Sequence, residues 1–306
     1  MPVPAASYVL GSAIIVVAIF LRHSLFSEDC GYKVGNQYKI CKSTVDSFRT
    51  QGLAIINDVI SEEDLLEIEA IYDRYMAEGS KEKQGRDFCD MSKPYDTPRE
   101  EYSVINAMLP RRYYPELQGN AYERVASTIA QQLFPGAEMV LDYDQLLDKN
   151  PGAADAQFAW HQDMAYWPSP AMTPDTRTVT FSLALDSTTK ENGCIRYVAG
   201  TGVEKVLRHH KPLGKTKADA HAIALTLRDD EEVSYAQVKR GSVSVHDEYV
   251  VHGSGGNTSK GKRRTYVIAF RVKDTVDRER AAGFTHSHND EVNWDVFNNW
   301  DKIQDQ

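Results

Sequence analysis

Apolar positions change their period several times along the chain. From Ala5 to Leu21 there is no charged residue, and Arg22 and His23 close the run. That length is at the short end for a bilayer-spanning helix, about 17–25 residues. No basic residue precedes the run, and Leu25-Phe26-Ser27-Glu28 is a poor cleavage site, so an uncleaved N-terminal membrane helix is expected over a signal peptide. Ser43 to Gly52 predicts a helix and Leu53 to Asn57 a short strand. Ser61-Glu62-Glu63-Asp64 has the pattern of a capping box. It opens an amphipathic helix through Met76, with Leu65, Ile68, Ile71, Tyr72 and Tyr75 on one stripe. Residues 77–101 are polar and read as one long loop, of the kind that forms lids, and 121–134 reads as helix. After Met139 the texture is that of short strands at 139–147, 177–186, 194–198, 222–227, 232–237, 241–246 and 264–272, separated by Gly, Asn and Pro. Such spacing predicts a sandwich or jelly roll. The expected organisation is an anchor over 1–26, a connector over 27–42, a β-rich domain over 43–274 and a polar extension over 275–306. Trp294, Phe297 and Trp300 could dock a helix in that extension.

Composition narrows the class. Of 306 residues, 42% are hydrophobic and 26% charged, which fits a folded globular chain. The formal net charge of −9 argues against a nucleic-acid partner. The four cysteines, Cys30, Cys41, Cys89 and Cys194, contain no C-x-x-C pair and are expected as free thiols. Cys30 and Cys41 could pair if their segment meets an oxidising lumen. Arg22 places the catalytic part on the cytoplasmic side, with a lumenal or secreted location as the alternative.

The chemistry centres on Trp160-His161-Gln162-Asp163. Side chains at i and i+2 of a strand share a face, so His161 and Asp163 can meet one ion. His252 follows in Val250-Val251-His252-Gly253-Ser254. Two histidines and one carboxylate leave adjacent positions open, an arrangement suited to iron(II) that binds a bidentate co-substrate together with O₂. Eleven residues past His252 stands Arg263, which could grip a distant carboxylate of 2-oxoglutarate with two parallel hydrogen bonds. Arg264 would point to the opposite face. His246 reads as core or as a neighbour of the ligands, His209-His210 as a surface pair, and His288-Asn289-Asp290 as solvated surface.

These residues resemble the phytanoyl-CoA dioxygenase family of iron(II)/2-oxoglutarate oxygenases. The similar stretches are His161-Gln162-Asp163-Met164-Ala165-Tyr166-Trp167-Pro168, the turn Asn192-Gly193-Cys194, and His252-Gly253-Ser254 through Arg263. The opening Phe48 to Ile56 and the helix after Ser61 also resemble the family, so the likeness covers roughly 43–272. It implies a mainly β fold with flanking helices around a double-stranded β-helix core, jelly roll or cupin-like. It also implies His161, Asp163 and His252 as metal ligands, Arg263 as the co-substrate clamp, and Ser254 and Gln162 as further co-substrate positions, with no catalytic residue beyond the metal centre. The chain departs from the family at Gly200-Thr201-Gly202, where a Gly-Ser-His run is usual, and this puts one wall of the pocket in doubt. Asp163 is present, which disfavours halogenation.

The implied activity is oxidation of a C–H bond of a small organic substrate, by hydroxylation or by radical desaturation or cyclisation, with succinate and CO₂ released. Fe(II), 2-oxoglutarate and O₂ are the implied cofactor and co-substrates. Arg196, Arg111, Arg112 and Tyr166 are candidate substrate contacts, and the arginines favour a carboxylate-bearing metabolite. Two alternatives stay open: a metal-binding jelly roll without turnover, and an O₂-independent metal-dependent cupin enzyme.

Overall fold

The computed structural model describes residues 30–170, 173–213 and 222–290. The run Ala5–Leu21 and the aromatic tail Trp294–Trp300 lie outside them. Among the described residues no helix is long and apolar enough to cross a membrane.

A ribbon of β1 (Tyr32–Val34) and β2 (Gln37–Lys39) leads into helix α1 (Lys42–Gln51), which stops at Gly52 in a left-handed conformation. Helix α1 thus starts at Lys42, and neither Ser43 nor Thr44 caps it. After β3 (Leu53–Ile56), Ser61 caps helix α2 (Glu62–Glu78) by accepting from the Asp64 backbone N–H at 3.2 Å. The stretch read as one loop contains β4 (Phe88–Cys89), and β5 (Val104–Met108), helix α3 (Ala121–Leu133) and β6 (Met139–Lys149) follow. Then come β7 (Phe158–His161), β8 (Thr178–Ala184), β9 (Ile195–Val198), β10 (Lys211–Pro212), β11 (Ile223–Ala224), β12 (Val233–Tyr235), β13 (Val243–His246), β14 (Val251–Ser254), β15 (Arg263–Val272) and helix α4 (Lys273–Ala281).

The strands make two main antiparallel sheets. The larger has the order β3-β13-β8-β15-β6-β5-β4, the smaller β12-β9-β14-β7. This mainly β architecture with flanking helices is consistent with a jelly-roll core. The larger sheet is buried on both sides, and its period-2 alternation sorts chemistry between its faces. Val179, Phe181, Leu183, Val243, Val245, Tyr266, Ile268 and Phe270 join the apolar core with Phe48, Leu65, Ile68, Tyr122 and Ile129 of α1–α3. Their neighbours Thr180, Ser182, His246, Arg263 and Val267 line a cavity on the other side. The helices therefore anchor a sheet whose opposite face carries the polar groups.

Two sequence expectations change here. Cys30 and Cys41 are disulfide-bonded, and Cys89 and Cys194 are free and buried. The extension after residue 275 is not uniformly polar surface: α4 occupies its start, and Phe284, His286 and His288 are buried. Asp87 draws that segment inward by accepting from the Ser287 hydroxyl at 2.8 Å and the His288 backbone N–H at 2.6 Å.

Candidate active site

The cavity holds about 960 Å³ of empty space, open mouth included, and is lined by residues of both sheets. Strand β7 ends at His161, but Gln162 keeps an extended backbone (φ −121°, ψ 135°), so Asp163 still falls on the His161 face. β14 pairs with β7 with His252 directly opposite His161. A bulge follows at Gly253, where a Cβ would come within 2.8 Å of the Phe158 carbonyl oxygen, so only glycine fits this approach.

His161 Nε2 lies 3.6 Å and His252 Nε2 3.4 Å from Asp163 Oδ1. Each ring points its Nδ1 at a carbonyl oxygen two residues back, His161 at Ala159 (2.8 Å) and His252 at Val250 (3.0 Å). Nδ1 therefore carries the proton, and the Nε2 lone pairs converge on the carboxylate, as metal-binding imidazoles are usually oriented. Burial and the neighbouring His246 and His161 hold the His252 pKa well below the usual range, which keeps the ring neutral. Burial alone would raise Asp163, but His252, His161 and His246 outweigh it and keep the carboxyl well below the normal range. The other carboxylate oxygen, Oδ2, accepts from Thr180 Oγ1 at 3.1 Å and lies 3.3 Å from His246 Nε2. His246 Nδ1 lies 3.1 Å from the Tyr197 hydroxyl, so both ring nitrogens of His246 are engaged and the ring braces the carboxylate.

Beyond the triad the cavity reaches the buried Arg263, and a second buried cation, Lys149, neighbours it. β15 and β6 place Arg263 directly opposite Lys149, and like charges facing each other across strands repel. Lys149 donates to Ser254 Oγ at 2.6 Å and to the Gly255 carbonyl oxygen, and lies 5.5 Å over the Phe158 ring. Arg263 donates to Thr265 Oγ1 (2.6 Å) and to the Gly193 carbonyl oxygen (3.1 Å), while its buried Nε has no partner. Gly193 sits at φ +78°, and a Cβ there would come within 2.4 Å of the Gly255 oxygen. Burial lowers Arg263 to about 10 and pushes Lys149 well below its usual value, with Arg263 adding repulsion. Neither cation has a carboxylate partner among the described residues. Unpaired buried cations are costly, so the pair fits an anion of matching length entering the cavity. Arg264 points the other way, to Asp186 (2.8 Å), Glu69 and Asp73.

Four expected contacts do not line this cavity: two turn away from it and two lie elsewhere. Gln162 is fully buried, with its amide on the Val206 and Tyr249 carbonyl oxygens and the Arg208 N–H, because alternation turns it opposite to His161 and Asp163. Arg196 faces away for the same reason, its neighbour Ile195 lining the cavity, and stacks 4.5 Å over Trp160. Arg111 pairs with Glu123 and lies 3.5 Å from Asp144, and Arg112 is exposed. The support for a carboxylate-bearing substrate falls with these arginines. Tyr166 does line the cavity, edge-on to His161 at 5.6 Å, as does Ser254.

Lys149, His286 and His288 escape the sequence reading, although His286 and His288 line the cavity. Lys149 had a usable signal: it shares the strand parity of Tyr143, Gln145 and Leu147 on β6. The two histidines had none, because a His-x-His in a polar tail looks solvated. His210, read as surface, is buried and receives the Gln162 N–H at 3.1 Å.

Residues 48–265 match the family model described as phytanoyl-CoA dioxygenase. The chain is 30% identical over 145 residues to a probable alpha-ketoglutarate-dependent hypophosphite dioxygenase of Stutzerimonas stutzeri, covering 46% of this chain and 48% of that one. It is 25% identical over 175 residues to an ectoine dioxygenase of Streptomyces anulatus, covering 51% and 55%. The chain thus spans about half the length of the curated relatives it matches. Among solved structures, EvdO2 from Micromonospora carbonacea var. aurantiaca, complexed with 2-oxoglutarate, is 25% identical over 78% of this chain and 96% of its own, with a TM-score of 0.59.

Proposed function

Because the chain belongs to the phytanoyl-CoA dioxygenase family, we propose that it is an Fe(II)- and 2-oxoglutarate-dependent dioxygenase acting on a C–H bond of a small organic molecule. The observation that carries this reading is the joint presence, in one cavity, of a lone-pair-converging His161/Asp163/His252 set and the buried Arg263, which faces Lys149 across the strands and has no carboxylate partner among the described residues. The donor set fits iron(II): two neutral imidazoles and one carboxylate, with one side open to the cavity. The Arg263 Nε without a partner fits the far carboxylate of 2-oxoglutarate. Iron(II) with 2-oxoglutarate and O₂ supplies the oxidising power, releasing succinate and CO₂.

The protein's own residues divide the remaining work. His161 and His252 present Nε2 in a fixed tautomer, and Asp163 supplies one oxygen while Thr180 and His246 hold the other. Arg263 and Lys149 draw the co-substrate into one orientation, with Ser254 bound to Lys149 beside them. Tyr166, Trp167, Phe284 and Met108 wall the cavity with apolar surface and restrict water around the reacting centre. Hydroxylation, desaturation and cyclisation are all compatible with this arrangement.

The test is metal content and 2-oxoglutarate turnover. Purified protein loaded anaerobically is expected to hold one iron per chain and to convert 2-oxoglutarate to succinate in O₂, with Asp163→Ala losing both. Wild-type protein that binds neither iron nor 2-oxoglutarate would overturn the reading.

For location, the uncharged run Ala5–Leu21 supports attachment to a membrane. Disulfide-bonded Cys30 and Cys41 favour the oxidising, lumenal side for the domain over the cytoplasmic one.

A further inference from the structure

A further histidine, His286, stands in the same cavity with no role in holding metal or co-substrate. His286 lies past α4, at a left-handed backbone position (φ 65°) that costs a non-glycine residue about 1–2 kcal/mol. It is 6% exposed and lines the cavity. Its Nε2 lies 2.7 Å from Asp142 Oδ2, and because that oxygen belongs to a carboxylate, Nε2 carries the proton. Nδ1 is then an acceptor, and it has no hydrogen-bond partner among the described residues.

Asp142 is aimed there by a bulge. The β15–β6 register passes from Ala269 opposite Tyr143 to Phe270 opposite Leu141, skipping Asp142. Behind it, Arg271 contacts Asp142 Oδ2 at 3.0 Å and Glu279 at 2.5 Å and 2.9 Å, and Arg280 holds Asp142 Oδ1. Two carboxylates and two guanidinium groups cancel, so nothing in the cluster calls for a further positive charge on His286. The cavity beside His286 is walled by aromatic rings: Tyr143 at 4.7 Å, Phe284 at 4.5 Å and Trp167 at 6.1 Å. Arg271, which packs 4.3 Å from Trp167, is spent on the carboxylates, so among the described residues this end offers an anion no free cation.

Resting on the oxygenase reading for what happens to the bound molecule, we propose that His286 is the substrate-recognition residue of this cavity. Its Nδ1 accepts a hydrogen bond from a hydroxyl group of a neutral, ring-bearing substrate seated against Tyr143, Trp167 and Phe284. The ion cluster fixes the tautomer, the strained turn delivers the ring to the cavity, and the aromatic walls favour a flat or ring-shaped apolar face.

The experiment compares benzyl alcohol, benzyl methyl ether and benzoate by titration calorimetry, on the full chain with iron(II) and 2-oxoglutarate under anaerobic conditions and again without either. The alcohol is expected to bind about tenfold more tightly than the ether, which has no proton to donate, and more tightly than benzoate. His286→Phe is expected to equalise alcohol and ether while leaving 2-oxoglutarate binding intact. If that variant melts below the assay temperature, His286→Met replaces it with the same expectation. Equal affinities in the wild type, tighter binding of benzoate, a preference that survives loss of the imidazole, or no binding by any of the three overturns the proposal. Failure of iron or 2-oxoglutarate to bind would sink the oxygenase reading alone, because the alcohol preference in the metal-free protein needs neither.

Discussion

The set His161, Asp163, His252 and the set Asp142, Glu279, His286 each bring imidazole and carboxylate atoms within 4.8 Å of one another, and both adjoin one cavity. By residue type and spacing they are near twins. Their charge surroundings are opposite. Among the described residues Asp163 has imidazoles and a hydroxyl as its polar partners, and the two ligand rings have their protons turned outward to carbonyl oxygens. Asp142 and Glu279 are neutralised by Arg271 and Arg280, and the one histidine turns its proton toward the carboxylate. The first set lacks positive charge and offers lone pairs, whereas the second is complete. A cluster of metal-ligating residue types is thus a metal site only where the protein has left the cation out.

The largest expected effect separates the two sets by metal content. Asp163→Ala should drop bound iron and 2-oxoglutarate turnover to background by metal analysis and succinate assay, while Asp142→Ala keeps most of its iron. Stability should run the other way. Removing one member of a buried ionic cluster costs ~3–5 kcal/mol, so Asp142→Ala should unfold at markedly lower denaturant, with Asp163→Ala in the metal-free protein much less affected. A comparable loss in both would break the comparison.

The buried cation pair sharpens it from a third side. Arg263→Gln should weaken 2-oxoglutarate binding at least about tenfold in a calorimetric titration, through the loss of charge-assisted hydrogen bonds, with iron content unchanged. Lys149→Met should also weaken it, yet raise the stability of the co-substrate-free protein by ~1–3 kcal/mol, because an unpaired buried charge is removed.

The smallest effect concerns pH. Asp144, two residues from Asp142, has Arg111 beside it but no second cation, and burial raises its pKa to about 7. The folded chain then binds a proton that the unfolded chain has lost above pH ~4, so this group makes stability fall as pH rises from about 4 to about 7. Asp142, held below its normal value, gives stability that is lost only as pH falls through the acid range. Asp144→Asn should therefore flatten the decline in melting temperature between pH ~4 and ~7. An unchanged slope would mean that Arg111 compensates Asp144 after all.

Much of this was legible in the chain. Period-2 alternation is local, so the parity that joins His161 to Asp163 and separates Arg263 from Arg264 could be read directly. The same rule, applied to Arg196 and Gln162, would have turned them away from the cavity. It fails where a bulge interrupts it, and Asp142 is such a place. β4 was hidden because Phe88–Cys89 is a short buried stretch inside a polar segment, and burial there depends on neighbours distant in the chain.

The sequence by itself determined the strand-rich core, the faces on which His161, Asp163, His252 and Arg263 lie, and the family, because these rest on local backbone geometry and on motif spacing. Only the tertiary structure decided which cations are paired. Lys149 meets Arg263 across a strand ladder, and Asp142 meets Arg271, Glu279 and His286 from separate elements. Charge balance in a buried site is a sum over neighbours that the fold brings together, and no local pattern in the chain records it.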